Sequence, residues 1–283
     1  MPVNQLPSPL TADGASVAFG DRVLWSGLDL TVAPGEFLAV LGANGAGKST
    51  FLKAVLGQQQ LSAGAMSVVG RAPGRANRAV GYVPQQKSMS AATPLRARDL
   101  VALGIDGDRF GLRPRRQADR DRIDEALAAV GATAYADAPI GLLSGGEQQR
   151  VRIAQALVGG PELLLCDEPL LSLDLGHQRA VSAVIDRRRR EHGTAVVLVT
   201  HEINPVLDLV DRVLYIAGGR HRIGTPAEVF TSESLSDLYG TPVDVFTVRG
   251  RIVVVGTPEH ATEAGRGHDL THGHSHAPAG AHR

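Results

Sequence analysis

Cysteine is almost absent from this chain of 283 residues: Cys166 stands alone. No internal disulfide can form, which fits a reducing cytosol. Net charge is missing as well, because Lys+Arg and Asp+Glu both number 29. That argues against a general nucleic-acid binder, which needs a basic face to displace phosphate counterions. No apolar run approaches the roughly 18–20 residues that span a bilayer, so any membrane role requires another chain to supply the spans. The start, MPVNQLPSPLTADG, has no basic stretch leading into an apolar one, and no signal peptide is expected. Internal repeats and heptad runs are also lacking. Apolar residues, at 43%, are ordinary for a globular protein, and the length suits one large domain or two small ones.

Residues 1–12 are rich in Pro and Ser and read as a flexible N-terminus. ASVAF (15–19) and LDLTV (28–32) resemble antiparallel strands with a turn at Gly20-Asp21. FLAVLG (37–42), AVGYV (79–83), ELLLC (162–166), TAVVLVT (194–200) and RVLYIA (212–217) read as further strands, the first of them a buried parallel one. Helical spacing marks STFLKAVLG (49–57), residues 122–131, 147–159 and 177–193. Strands alternating with helices predict an α/β fold with a largely parallel sheet covered on both faces. The stretch 86–160 interrupts the alternation and reads as an inserted helical subdomain of a domain spanning 13–258. Residues 259–283, rich in Gly, Ala and His, cannot bury enough surface to fold alone and read as a disordered tail.

Gly42-Ala43-Asn44-Gly45-Ala46-Gly47-Lys48-Ser49-Thr50 matches the phosphate-loop pattern G-x-x-x-x-G-K-[ST]. Such a loop wraps a polyphosphate with backbone N–H groups, and side chains would block the approach. A helix starting near Lys48 aims its positive dipole end at the phosphates. Lys48 is placed to reach the β- and γ-phosphates and Ser49 to ligate Mg²⁺. Asp167 ends an apolar strand, where a carboxylate can hold Mg²⁺, and Glu168 can polarise a water as general base. Between these motifs lies LSGGEQQR, Leu143 to Arg150, in which Ser144 and Glu147 have the spacing of a capping box.

At that octapeptide the chain resembles the nucleotide-binding subunit of an ABC transporter, over about residues 13–257. The resemblance implies a P-loop NTPase (RecA-like) core with an N-terminal antiparallel β subdomain and the helical insert. It makes Phe19 the aromatic that stacks on adenine, Gln85 the Q-loop residue touching Mg²⁺, and His201 the switch histidine. Leu143 to Glu147, with Ser144, Gly145, Gly146 and Glu147, form the signature, and Ser172-Leu173-Asp174 the D-loop. It implies ATP and Mg²⁺ as cofactors and a head-to-tail, ATP-dependent homodimer. Each ATP would lie between one subunit's phosphate loop and the other's signature. Permease subunits in the membrane, and indirectly an extracytoplasmic metal-binding protein, are the implied partners, with the chain on the cytoplasmic face. Nucleic acid is not among them. Two departures are mild: Cys166 stands where an aliphatic residue is usual, and Pro169-Leu170-Leu171-Ser172 replaces the common P-T-S-A.

Gln86 to Gly104 and His201 to Val245 resemble the subfamily serving metal-ion importers, zinc or manganese foremost, with metal-chelate (siderophore or haem) importers close behind. Six of the ten histidines fall at or after residue 260, and His268, His272, His274 and His276 are candidate metal ligands. An alternative is a soluble ABC ATPase acting on ribosomes or DNA, which would usually carry two cassettes or a long coiled coil. A metal-binding module with a vestigial cassette is a third reading, opposed by intact Lys48, Glu168 and His201. Arg187 to Arg190 reads as a solvated helix end. The arginines at 109, 113, 115, 116, 120 and 122 read as a surface cluster interleaved with acids.

Overall fold

Strand β1 (Leu10–Phe19) turns at Gly20, which takes φ 57°, and returns as β2 (Arg22–Val32). These belong to a computed structural model that describes residues 7–75, 78–85, 89–90, 93–107, 116–171 and 173–256. β3 (Phe37–Gly42) runs into the phosphate loop and α1 (Lys48–Val55) leaves it, followed by β4 (Ala63–Val68) and β5 (Val80–Val83). Three helices come next: α2 (Ala97–Asp106), α3 (Gln117–Ala129) and α4 (Gly145–Leu157). β6 (Leu163–Asp167), α5 (Leu175–His192), β7 (Ala195–Val199), β8 (Arg212–Ala217) and β9 (Arg220–Gly224) complete the main sheet. The chain goes on through α6 (Pro226–Val229) and α7 (Ser232–Tyr239) to a hairpin of β10 (Val243–Val248) and β11 (Arg251–Gly256).

The main sheet has six strands in the order β5-β6-β7-β3-β8-β9, parallel except for the antiparallel β8–β9 edge. β3, β6 and β7 are buried on both faces, which is why their sequences are unbroken apolar runs rather than alternating ones. Alternation nevertheless divides each strand between two cores. Phe37, Ala39 and Leu41 face a cluster shared with α2, α3, α4 and α5. Leu38 and Val40 face a second cluster built from α1 and the three-stranded antiparallel sheet β2-β1-β4. The helical insert therefore shares a continuous core with one face of the sheet.

Among the departures from the sequence reading, four bear on how the chain packs. β1 starts at Leu10, inside the stretch expected to be flexible, because Leu10 pairs with both Val32 and Val68 and is fully buried. β2 extends back to Arg22 and buries Trp25 against Phe51, ring edge to ring face at 6.0 Å. β4 was not expected, since AGAMSV has no strong alternation; pairing with β1 makes it a strand. Its Gly64 is held at φ 76°, where an added Cβ would fall 2.3 Å from the Gly14 carbonyl oxygen. The fourth departure is Arg189, whose side chain is 12% exposed rather than solvated. It donates to Asp186, to Asp211 and to the Gly35 carbonyl, tying the end of α5 to the turn before β3.

Candidate functional site

β6, β7 and β3 lie side by side and parallel, so Asp167, Val199 and Gly42 end on one edge, where ligands of open α/β sheets bind. The loop after β3 is held from behind by packing. Gly42 takes φ 146°, and a Cβ there would fall 2.1 Å from the Ile216 carbonyl oxygen on β8. Gly47, at φ 105°, would press a Cβ to 3.1 Å from Leu24 and Trp25. Both glycines are thus required by the protein's own walls, a reason additional to the approach of a phosphate. Arg22 donates to the Gly45 carbonyl at 3.1 Å and steadies the outer side of the loop, a contact that sequence reasoning missed.

Lys48 is buried and donates to the Gly42 and Ala43 carbonyls at 2.7 and 3.0 Å. Burial holds its ammonium below the usual lysine range, while Glu168 and Asp167 pull it back up. Ser49 Oγ donates to Asp167 Oδ1 at 3.4 Å. Burial, and then the neighbouring Glu168, push the Asp167 carboxyl above its ordinary value. Glu168 has left-handed backbone, φ 49°, and its N–H bonds the Val199 carbonyl, turning the side chain off the strand line. Gln85 Nε2 donates to Glu168 Oε2 at 3.2 Å, and His201 Nδ1 lies 3.8 Å from Glu168 Oε1. Phosphate loop, acidic pair, Gln85 and His201, spread over 160 positions of sequence, therefore meet at one sheet edge. Two carboxylates share this edge with one ammonium, so a divalent cation fits the donor set of Asp167, Ser49 and the Gln85 amide oxygen. Phe19 ends β1 and is 52% exposed, open to a flat partner.

The signature and the D-loop residue are organised separately. Ser144 caps α4 by accepting the Glu147 N–H at 3.4 Å, and its own hydroxyl and backbone N–H donate to Glu147 Oε2 at 2.7 and 2.8 Å. Those bonds hold the Glu147 carboxyl below its usual range. Asp174 caps α5 by accepting the His177 N–H at 2.9 Å. Gln148, buried on α4, bonds the Met89 N–H and the Leu143 carbonyl, anchoring the segment after Gln85 to the signature helix. Ser172 and the tail histidines His268, His272, His274 and His276 lie outside the described residues. Among the described residues, no three His, Cys, Asp or Glu side chains gather as a metal site, and no helix is long and apolar enough to cross a membrane.

Residues 25–171 match the ABC transporter family. The hemin import ATP-binding protein HmuV of Rhodopseudomonas palustris is 37% identical over 81% of this chain and 87% of its own length. The manganese transport system ATP-binding protein MntB of Bacillus subtilis is 34% identical over 82% of this chain and 92% of its own. Among solved structures, a chain of a transporter described as metal-chelate type, in an inward-facing conformation, superposes with a TM-score of 0.74 at 25% identity. It covers 89% of this chain and 98% of the other. With phosphate loop, acidic pair and signature all present in this fold, the chain belongs to the ATP-binding proteins of the ABC transporter family, and it is an ATPase subunit of an ABC importer.

Proposed function

We propose that two copies of this chain close head to tail around two ATP molecules, each with Mg²⁺, and drive import of a transition metal through membrane-embedded permease subunits. One observation carries the reading: the hydrolytic cluster around Lys48, Asp167, Glu168, Gln85 and His201 is assembled within one chain, whereas Ser144 and Asp174 are bonded to Glu147 and His177 instead. In the closed dimer, Ser144, Gly145, Gly146 and Glu147 at the N-terminus of α4 would face the γ-phosphate held by the partner's Lys48. The backbone N–H groups of residues 42–50 and Lys48 bind the polyphosphate, and Phe19 stacks on adenine. Ser49, Asp167 and Gln85 would hold Mg²⁺, which supplies charge neutralisation for phosphoryl transfer. Glu168 accepts the proton of the attacking water, and Gln85 and His201 orient its carboxylate. The chain would act at the cytoplasmic face of the membrane.

For cargo, the proposal is a metal ion, manganese or zinc, delivered by an extracytoplasmic binding protein. The MntB relative and the metal-importer-like stretches 86–104 and 201–245 support it. The HmuV relative favours haem as a second reading. Uptake of labelled manganese, zinc and haem by cells with and without the gene tests the choice. Loss of manganese or zinc uptake supports the proposal. Loss of haem uptake alone replaces it with the second reading, and unchanged uptake of all three rejects both.

A further inference from the structure

We propose that His177 is a positioning residue that fixes the Asp174 carboxylate and sets it beside the first turn of the signature helix, so that both meet the partner's nucleotide together. The proposal deepens the head-to-tail reading above and rests on it. It concerns a side chain to which neither the motifs nor the hydrolytic chemistry gives a task.

His177 sits in the first turn of α5 and holds Asp174 twice. Its backbone N–H donates to Asp174 Oδ1 at 2.9 Å, and its ring Nδ1 lies 2.6 Å from Asp174 Oδ2. An ionised carboxylate only accepts, so Nδ1 carries the proton and the ring orientation is set. The opposite edge of the ring faces α4. A Cβ built on Gly146 would lie 3.4 Å from His177 Cδ2 and 3.6 Å from its Cγ, with Leu173 Cδ2 also at 3.6 Å. Ring and Leu173 thus stand about one methyl away from the first turn of the signature helix, where a Cβ at position 146 would come into ordinary contact with them. Glu147, next along that turn, has its carboxyl lowered chiefly by Ser144 and further by Arg150 and His177. Asp174 and His177 on one side, and Gly146, Glu147 and Ser144 on the other, are therefore immediate neighbours, each side held together by its own hydrogen bonds.

Each of these loops by itself is one short turn between elements. Two loops that must meet the same ligand lose less freedom on binding if they are already held side by side. The clamp is half exposed, so it adds little to the stability of the folded chain. Its value lies in the relative placement of two groups that, in the dimer, reach a nucleotide the chain does not itself hold.

The test compares the full-length wild type with His177→Ala, His177→Leu and His177→Asn. The readouts are steady-state ATP hydrolysis, thermal unfolding and binding of a fluorescent ATP analogue at protein concentrations too low for dimerisation. In His177→Ala, kcat falls about tenfold while KM for ATP stays within about twofold. The unfolding midpoint stays within about 2 °C of wild type. Analogue binding is unchanged, because the chain's own phosphate loop is untouched. Asn can place an amide N–H where Nδ1–H stood, so His177→Asn recovers most of the turnover. Leu fills the space without donating, so His177→Leu stays as slow as His177→Ala. Wild-type turnover in His177→Ala, equal recovery by Leu and Asn, or loss of analogue binding along with kcat would each overturn the proposal. A Ser144→Ala control separates the two readings: if it leaves kcat unchanged, the head-to-tail site itself is wrong, whatever the His177 series shows.

Discussion

Replacing Arg189 by Ala is expected to destabilise the protein more than replacing Arg190, its neighbour in a run of four arginines. Arg189 donates to Asp186 at 3.0 Å, to Asp211 at 2.7 Å and to the Gly35 carbonyl at 3.1 Å. The same Asp211 oxygen accepts the Phe37 N–H at 2.8 Å, at the start of the strand that leads to the phosphate loop. Removing one partner of a buried ion pair costs about 3–5 kcal/mol. Here Asp211 is 48% exposed and water can return to it, whereas Asp186 is only 15% exposed. Asp186 also keeps Arg190 at 2.9 Å, so the discount leaves about 1–2 kcal/mol, spread over Asp186, Asp211 and the Gly35 carbonyl. Arg190 is 64% exposed and touches Asp186 alone, so its removal costs about 0.5 kcal/mol or less. The lone Trp25, buried against Phe51, supplies a fluorescence signal for urea unfolding. With a slope of about 3 kcal/mol per molar urea for a chain of this size, the Arg189→Ala midpoint drops by about 0.3–0.7 M. Equal midpoints for the two variants, with equal slopes, would refute the reasoning.

Glu168→Gln keeps a polar side chain beside Gln85 and His201 but removes the proton acceptor. ATP hydrolysis should fall by about 10²–10⁴ with ATP binding retained, and normal turnover would remove Glu168 from its role as base. Asp167 has a raised folded-state carboxyl, so its ionised form costs stability, and that cost grows as pH rises through its folded value. Asp167→Asn is therefore expected to raise the unfolding temperature of the nucleotide-free protein at neutral pH. The gain should shrink as pH falls and the wild-type carboxyl takes up its proton. A gain that grew with acidity would contradict the burial argument, and Mg²⁺-dependent ATP binding should be lost at every pH. Gly42→Ala places a Cβ 2.1 Å from the Ile216 carbonyl oxygen. It is expected to abolish nucleotide binding and lower stability by several kcal/mol, about the range for strain at a special backbone angle joined to overpacking. A stable variant that binds ATP would show that the loop can move off β8.

Much of the site was legible along the chain because backbone chemistry dictates residue type locally. A loop that wraps phosphate with N–H groups needs Gly42, Gly45 and Gly47, and a buried parallel strand needs an apolar run that stops at the carboxylate Asp167. Those demands repeat wherever the chemistry repeats, so motif order alone pointed to the family. Two helical stretches of the insert, 122–131 and 147–159, were legible between β5 and β6, whereas α2 at Ala97–Asp106 was not. Less legible was anything whose cause lies in a distant partner. β4 has a weak pattern of its own and is a strand because β1 offers it an edge. Leu10 is ordered because two strands flank it, and β9, β10 and β11 were likewise not expected from local pattern.

By itself, then, the sequence determined the phosphate loop, the acidic pair, the signature and the parallel core, since each is set by neighbours within a few residues. Only the tertiary structure decided that Arg189, in a run of four arginines, is tied to Asp186, Asp211 and Gly35, and that His177 holds Asp174. It also decided that Gly42 and Gly47 answer to Ile216 and Trp25 as well as to a phosphate. Those outcomes depend on side chains brought together from far along the chain, and a linear pattern carries no record of which distant groups will meet.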